Sequence, residues 1–321
     1  MRHALSCGGT AGLAVLMLAL SHPCHANGIW VVPSVDPGAV TLTAVAGADR
    51  SSTATVYVSA TPLVGAPPPS ISIYSDVPWL PLPETVPNYS FVQVQATVTG
   101  MAPGTHVGQI SVPGFGYAPA VCTVTLQIAA FPDAPAGSWA WQEIVACADQ
   151  RIVLGYPDGL YHPEIEVTRD QMAVYVARAL VSPSGDAAIP DPGPPPTFTD
   201  VLPDFWAYKQ IEYAVSQNVV QGYPNGTYQP ALVVDRGQMA VYVARAMVAP
   251  TGDAAIADPE PPFTFPDVPG EDNTWAWCHK HVEFLAGWGV VTGYPDGLYH
   301  PENAVTRDQM AVYIARAFEL L

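Results

Sequence analysis

One feature of this sequence constrains its fold more than any other: a segment of twelve residues that occurs three times, at 168–179, 235–246 and 306–317. Each copy begins with Thr or Asp, which are favoured N-cap residues, and has Gln three residues later, the spacing of a capping box. Met, Val, Tyr and Ala fill most of the other positions. This composition predicts a short helix that is buried over most of its circumference.

The first helical residue of every copy is an arginine: Arg169, Arg236 and Arg307. The helix dipole disfavours a cation in the first turn by roughly 0.3–1 kcal/mol. The same helix end presents unpaired backbone N–H groups, which favour an anion. An unfavourable placement used three times predicts that each arginine meets an anion there.

The three helices end three longer repeats, and a Phe-x-Asp triplet opens each repeat at intervals of 67 residues. A tryptophan then precedes a first amphipathic helix, and a Gly-Tyr-Pro-Asp/Asn-Gly pentapeptide follows with the residue order of a type I turn. The triplets begin at Phe131, Phe198 and Phe265, the tryptophans are Trp139, Trp206 and Trp277, and the pentapeptides begin at Gly155, Gly222 and Gly293. We predict repeats at residues 131–181, 198–248 and 265–321.

Two similar linkers separate the repeats, at residues 182–197 and 249–264. Both contain Gly-Asp-Ala-Ala-Ile and several prolines. The proline content excludes a regular helix and predicts an extended, fairly stiff connection.

Residues 27–130 have a different pattern, with six alternating or β-branched runs separated by Pro, Gly and Asn clusters. The runs are 40–45, 53–59, 71–74, 91–98, 107–112 and 121–128. Six or seven short strands over about a hundred residues predict an all-β, immunoglobulin-like sandwich. The fold class is therefore multidomain, with this sandwich followed by mainly α repeats.

The first 26 residues are predicted to be a signal peptide that is cleaved after Ala26. Its apolar run, 11–20, is shorter than the ~20 residues that a membrane-spanning helix needs. We therefore expect a secreted protein with no membrane insertion after cleavage.

Composition and motifs exclude several classes of function. There are 28 acidic and 11 basic residues, for a net charge of −17, which argues against nucleic acid or an anionic membrane surface as a partner. The sequence has no Gly-x-Ser-x-Gly elbow, phosphate-binding loop or His-Glu-x-x-His motif, so we predict no catalytic residues and no cofactor.

Metal binding and disulfide formation are minor alternatives. No stretch has the spacing of an EF-hand loop, so we predict no metal site, with Ca²⁺ on acidic turns and linkers as the alternative. Cys122, Cys147 and Cys278 remain after signal cleavage and are expected to be buried free thiols. A single Cys147–Cys278 bridge is the other interpretation.

The order Phe-x-Asp, Trp, helix, Gly-Tyr-Pro-Asp-Gly and Thr-Arg resembles the S-layer homology (SLH) domain, and the resemblance covers residues 131–321. It implies three repeats around a pseudo-threefold axis, with grooves between neighbours that bind an acidic, often pyruvylated, cell-wall polysaccharide. Two departures are present. Gln171, Gln238 and Gln309 replace the Glu of the usual Thr-Arg-Ala-Glu motif, and the middle repeat has Gly237 where the others have Asp.

The candidate ligand-binding residues follow from the repeats. They are Arg169, Arg236, Arg307, Trp139, Trp206, Trp277, Asp170, Asp308, Gly155, Gly222 and Gly293. Arginine offers a planar fork for a carboxylate, and tryptophan offers a face on which a sugar ring can pack. The alternative is structural: each arginine pairs with an aspartate of its own chain, such as Asp158 or Asp170, and each tryptophan is a core residue.

Two functions remain open for the whole chain. The preferred one is a secreted, non-catalytic envelope protein that the repeats hold on a cell-wall polysaccharide or peptidoglycan-linked polymer. The alternative is a tethered adhesin whose sandwich binds a glycan. Segments 78–80 and 102–110 resemble a BACON-type sandwich, which is compatible with either function. An exposed aromatic strip of Tyr57, Tyr74, Trp79 and Tyr117 would favour the adhesin.

Overall fold

The computed structural model describes residues 31–62, 66–114, 117–270 and 273–321. The predicted signal peptide lies outside these residues. A β-rich region comes first, and the three repeats that follow are mainly helical. Within the described ranges, no helix is both long enough and apolar enough to cross a bilayer.

The described residues of the β-rich region form nine strands. They are β1 Val31–Asp36, β2 Ala39–Val45, β3 Arg50–Pro62, β4 Ser70–Ser72, β5 Tyr74–Ser75, β6 Thr85–Pro87, β7 Ser90–Thr97, β8 Gly104–Val112 and β9 Ala120–Ala129. Each of the six predicted runs coincides with a strand or, for 71–74, with the consecutive strands β4 and β5. The sequence did not predict β1 or β6.

Two larger sheets enclose one hydrophobic core. The order of the first is β1-β3-β7, and that of the second is β2-β9-β8-β5, while β4 and β6 form a separate pair. The β2 and β9 strands are parallel, and the other paired strands are antiparallel. Val56, Val94 and Leu126 are completely buried between the sheets. Inward residues therefore alternate with outward ones, as the period-2 pattern predicts.

The described residues of the repeats form six α-helices. They are α1 Trp141–Asp149, α2 Arg169–Leu180, α3 Tyr208–Ser216, α4 Arg236–Met247, α5 His279–Gly287 and α6 Arg307–Ala317. The three second helices, α2, α4 and α6, contact one another. Their methionines, Met172, Met239 and Met310, have no exposed surface. The prediction that the repeated helix is buried is confirmed.

Short backbone bridges close the three repeats into a ring. Glu166 pairs with Thr306, Thr168 with Val233, and Asp235 with Ala304. Each bridge joins the segments that precede second helices in two different repeats. These segments thereby satisfy backbone groups that a helix end would otherwise leave unpaired.

In the middle repeat Asp235 caps the helix, but the return bond goes to its carboxylate and not to its backbone N–H, so the full capping box is not formed there. Asp235 accepts a hydrogen bond from Gln238 N at 2.7 Å, and Gln238 Nε2 donates back to Asp235 at 2.8 Å. In the first repeat the Thr168 hydroxyl donates to Asp170 instead. Asp170 then accepts from Gln171 N at 2.8 Å, so the aspartate supplies the capping oxygen. In the third repeat Asp308 accepts in the same way, and the return bond of the capping box is also present, from Thr306 N to Gln309 Oε1 at 3.4 Å.

The sequence analysis predicted extended linkers, but each linker contains a short helical turn. Their Gly-Asp-Ala-Ala segments form 3₁₀ turns at Gly185–Ala188 and Gly252–Ala255. Asp186 forms an ion pair with Arg178 at 2.7 Å, and Asp253 forms one with Arg245 at 2.6 Å. These pairs fold each linker back onto the second helix before it, which proline content alone does not predict.

The cysteines are confirmed as buried free thiols, and the alternative Cys147–Cys278 bridge is not formed. Burial raises the pKa of both thiols to about 12, so they stay protonated. They therefore act as small apolar core residues.

One buried histidine gives a testable pH dependence. His281 of α5 contacts Asp253 at 2.8 Å, and burial lowers the pKa of His281 below its ordinary value of about 6.5. Between the lowered folded pKa and the ordinary value, the unfolded chain binds more protons. Acidification through this window therefore removes stability. We expect the thermal unfolding midpoint to fall between pH 7.5 and pH 5.

The His281→Gln variant is the control, because Gln keeps an N–H near Asp253 and does not titrate. Its unfolding midpoint should depend less on pH than that of the unmodified protein. Other groups, including His300, whose pKa is raised by Asp296, act equally on both proteins. Identical pH profiles for the two proteins would contradict the assignment.

Candidate functional site

Three equivalent sites lie between the repeats, each with residues from all three repeats, and we call these sites grooves. In the first groove, the Gly155 turn and α2 come from the first repeat, Trp206 from the second and Arg307 from the third. Its cavity has a volume of about 470 Å³. We number each groove by the repeat that supplies its turn and second helix.

The other two grooves repeat this arrangement. The third groove combines the Gly293 turn and α6 with Arg236 and Trp139, around a cavity of about 180 Å³. The corresponding residues of the second groove are Arg169, Tyr223, Tyr242 and Trp277. The candidate arginines and tryptophans of different repeats therefore meet in the same grooves.

Each arginine reaches into the repeat that follows it around the ring. Its Nε donates to a tyrosine carbonyl at 2.8 Å, and the acceptors are Tyr228, Tyr299 and Tyr161 for Arg169, Arg236 and Arg307. Each guanidinium also lies 4.3 to 5.8 Å from the centres of three tyrosine rings. All three arginines are buried. They hold neighbouring repeats together through hydrogen bonds and cation–π contacts.

None of these arginines forms an ion pair within the part of the chain that the structure describes. Asp158 contacts His162 at 2.7 Å, and Asp170 accepts from Thr168, Gln171 and Trp206. The alternative that the arginines pair with these aspartates is therefore wrong. Each groove keeps a buried cation whose hydrogen bonds go to neutral groups.

The three tryptophans are exposed, so the alternative that they are core residues is wrong. Their exposed fractions are 63% for Trp139, 59% for Trp206 and 48% for Trp277. Trp139 Nε1 donates to Asp308 at 2.8 Å, and Trp206 Nε1 donates to Asp170 at 3.0 Å. The two aspartates thus orient a tryptophan of the neighbouring repeat.

The middle repeat lacks that aspartate, and Trp277 lies beside Gly237 instead. A Cβ atom at Gly237 would be 3.3 Å from the Trp277 ring. The second groove therefore has an indole held by packing where the others have one held by a hydrogen bond.

Gly155, Gly222 and Gly293 are required by packing. A Cβ at these positions would lie 2.7, 2.3 and 2.7 Å from Cε1 of the phenylalanine that opens the same repeat. Gly155 and Gly293 also line grooves, so a ligand would meet backbone there.

We expect Gly222→Ala to lower the free energy of unfolding by about 1–3 kcal/mol. The new Cβ would meet the Phe198 ring on one side and Thr227 O, at 2.7 Å, on the other, and a backbone oxygen cannot turn away. Urea denaturation measures the change. Gly287→Ala is the control, since a Cβ there meets no atom within 4 Å, and it should be neutral or slightly stabilising. Equal stability of both variants would contradict the prediction.

The S-layer homology domain model matches residues 130–173, 197–240 and 264–311. The three repeats are S-layer homology domains. Relatives share this part of the chain. Cell surface glycoprotein 1 of Acetivibrio thermocellus is 31% identical over 172 residues, which is 51% of this chain and 7% of that protein. The Cellulosome-anchoring protein of the same organism is 30% identical over 165 residues, which is 51% of this chain and 35% of that protein.

SLH-type repeats also occur in an enzyme. An endoglucanase of Bacillus sp. (strain KSM-635) is 30% identical over 124 residues, which is 39% of this chain and 12% of that protein. The chain thus spans about a third or less of the length of each of these relatives. The match describes the SLH repeats and does not carry over the activity of a whole relative.

Sequence reasoning missed the tyrosines that surround the SLH arginines. Tyr161, Tyr228 and Tyr299 are completely buried, and burial raises the pKa of each phenol well above its usual value. Each hydroxyl donates to the backbone carbonyl of the arginine stacked on its ring. The sequence signal that could have identified them is that a tyrosine occupies this position in all three repeats.

The opening Phe-x-Asp motif of each SLH repeat also has a structural reason. Asp133 accepts from Tyr161 N at 2.9 Å and from His162 N at 2.7 Å. Asp200 and Asp267 make the equivalent bonds in the other repeats. The motif therefore fixes the tyrosine on which the neighbouring arginine lies.

The SLH grooves differ in charge. Arg178 and Arg245 are paired with linker aspartates, whereas the equivalent Arg316 bonds only Val290 O, at 3.4 Å, among the described residues. Arg316 lines the third groove with Arg236, whereas the equivalent Arg178 of the first groove is neutralised by Asp186. The third groove therefore has one more arginine without an acidic partner than the first.

Proposed function

We propose that this is a secreted, non-catalytic envelope protein whose SLH repeats bind an acidic cell-wall polysaccharide. The observation that carries the proposal is the same in each groove: a buried arginine without a carboxylate partner next to an exposed tryptophan. A buried charge without a counter-ion is costly, and a bound carboxylate would offset that cost.

The chemistry of the groove fits an acidic sugar. A guanidinium presents several N–H donors in one plane, which matches a carboxylate, including that of a pyruvate ketal. The indole face beside it can pack against a sugar ring. Three such grooves on one frame would raise retention through effective concentration, without any single strong site.

The names of the relatives point the same way. One relative is called a cell surface glycoprotein and another a cellulosome-anchoring protein. The pyruvylated form of the polymer and the pseudo-threefold axis come from the family resemblance. The ring of inter-repeat bridges and arginine contacts supports that axis.

We assign the β-rich region to display and spacing, as an immunoglobulin-like sandwich, in preference to glycan binding. The adhesin alternative needs one exposed strip of aromatic side chains. Tyr57 lies in β3 of the first sheet, and Tyr74 lies in β5 of the second. Trp79 is half-buried against the core. Tyr57 and Tyr74 therefore lie in different sheets, and Trp79 is not fully exposed, which supports the spacer over the adhesin.

Co-sedimentation tests the proposal. The purified mature protein would be mixed with cell walls of its source organism, and with the same walls after acid removal of their polysaccharide. We expect the protein to pellet with the intact walls only, and the released polysaccharide to compete. Pelleting with both kinds of wall, or with neither, would contradict polysaccharide anchoring.

A further inference from the structure

The first groove contains three polar groups that make no hydrogen bond within the described chain. They are the Tyr175 hydroxyl, Gln171 Oε1 and Arg307 Nη1. All three residues line the cavity of about 470 Å³. Tyr175 is only 4% exposed, so its hydroxyl is a buried polar group without a partner. Such groups are rare because leaving one unpaired is costly.

The other two grooves satisfy the equivalent arginine internally. Arg169 Nη1 donates to Gln238 Oε1 at 3.2 Å, and Arg236 Nη1 donates to the Tyr313 hydroxyl. These bonds leave the Gln238 oxygen and the Tyr313 hydroxyl with partners inside the protein.

The equivalent tyrosine is also satisfied in the second groove but not in the first. The Tyr242 hydroxyl bonds the Tyr228 hydroxyl at 3.1 Å. In the first groove, Tyr161 donates to Arg307 O at 2.8 Å, and the Tyr175 hydroxyl makes no hydrogen bond of ordinary length and angle among the described residues. The three repeats thus use the same residue types, but only the first groove leaves all of these groups open.

We propose that the first groove is the principal saccharide subsite. It would take a sugar unit that carries a carboxylate next to a free hydroxyl. Arg307 Nη1 donates to the carboxylate, Gln171 Oε1 accepts from the hydroxyl, and the Tyr175 hydroxyl donates to either group. This inference rests on the proposed function. It specifies the groove and the side chains that contribute most to saccharide binding.

Two further observations agree with this assignment. Burial raises the pKa of Tyr175 to about 12, so its phenol keeps its proton and can donate near neutral pH. Asp170 also lines the groove, but hydrogen bonds from Thr168, Gln171 and Trp206 already stabilise its carboxylate. Asp170 therefore leaves the open polar groups available to the ligand.

The third groove is the competing assignment, because it has one more arginine without an acidic partner. If long-range charge alone decided affinity, Arg236 and Arg316 would make that groove the principal subsite. The two assignments differ in which tyrosine matters, so the matched tyrosine variants separate them.

The experiment compares Tyr175→Phe, Tyr242→Phe and Tyr313→Phe. Binding would be measured by calorimetric titration with short acidic oligosaccharides released from the purified cell walls. We expect Tyr175→Phe to weaken binding about tenfold, the effect of one lost hydrogen bond to a charged group. Its unfolding midpoint should be unchanged or raised, because the change removes an unpaired hydroxyl. Tyr242→Phe and Tyr313→Phe lose internal bonds, so they should unfold at lower temperature and lose less affinity than Tyr175→Phe.

Gln171→Met with Gln238→Met gives a second matched pair. Only the Gln171 change should weaken binding, whereas the Gln238 change should reduce stability. Unchanged binding by both Tyr175→Phe and Gln171→Met would overturn this inference alone, and so would a larger loss of affinity in Tyr313→Phe. If the unmodified protein does not bind the oligosaccharides, the proposed function falls as well.

Discussion

Replacing Arg236 with alanine is expected to lower the free energy of unfolding by about 3–5 kcal/mol. Arg236 is 3% exposed and donates to Tyr299 O, to Thr292 O and to the Tyr313 hydroxyl. Each hydrogen bond to a charged group contributes about 1.5–3 kcal/mol, and the three bonds share one side chain. Stacking on three tyrosine rings adds about 0.5–2 kcal/mol, and deletion also leaves buried acceptors unpaired.

Urea denaturation of the two proteins measures this loss. Arg316→Ala is the matched control, because Arg316 lines the same groove, is exposed, and makes a single long hydrogen bond. Arg316→Ala should change the free energy of unfolding by no more than about 0.5 kcal/mol, as most surface substitutions do. If Arg236→Ala were no more destabilising than Arg316→Ala, the inter-repeat role of Arg236 would be wrong.

This energetic role affects how ligand binding is tested. An alanine variant of all three groove arginines would separate the repeats, so its loss of binding would report unfolding as well as a lost contact. Substitutions that keep the guanidinium and change only its open neighbours, such as Tyr175→Phe, avoid this confusion.

The sequence predicted the secondary-structure elements better than it predicted the contacts between repeats. Local sequence is enough to place α2, α4 and α6, because Met, Val, Tyr and Ala cover most of each helix and predict its burial. The repeated sequence also identified the arginine at the first position of each of these helices. It could not give the ring, in which Arg169 enters the second repeat, since contacts between repeats depend on how whole units pack.

Two local expectations changed for a similar reason. Proline content predicted extended linkers, but Asp186 and Asp253 form ion pairs that bring each linker back to a helix. Thr168 at the N-cap was predicted to accept a hydrogen bond from Gln171 N, but the Asp170 carboxylate accepts that bond instead. In both cases an aspartate carboxylate accepts hydrogen bonds that the local sequence pattern did not predict.

The second prediction concerns the exposed indoles. Replacing Trp139, Trp206 and Trp277 together with alanine is expected to weaken retention on cell walls by about 10²–10⁴-fold, the range over which multivalency amplifies weak sites. Each single variant should lose much less, because two grooves remain on the same rigid frame. Stability should change little, since about half or more of each indole is already in solvent.

Retention would be measured by co-sedimentation over a series of protein concentrations, after thermal unfolding has shown that every variant is folded. Trp288→Ala is the matched control, because Trp288 is 63% exposed and does not line the first or the third groove. An equal loss in Trp288→Ala would mean that exposed indoles bind walls non-specifically. Full retention of a folded triple variant would mean that no sugar ring packs on these faces, and the polymer would then be held by the arginines and the polar groups beside them.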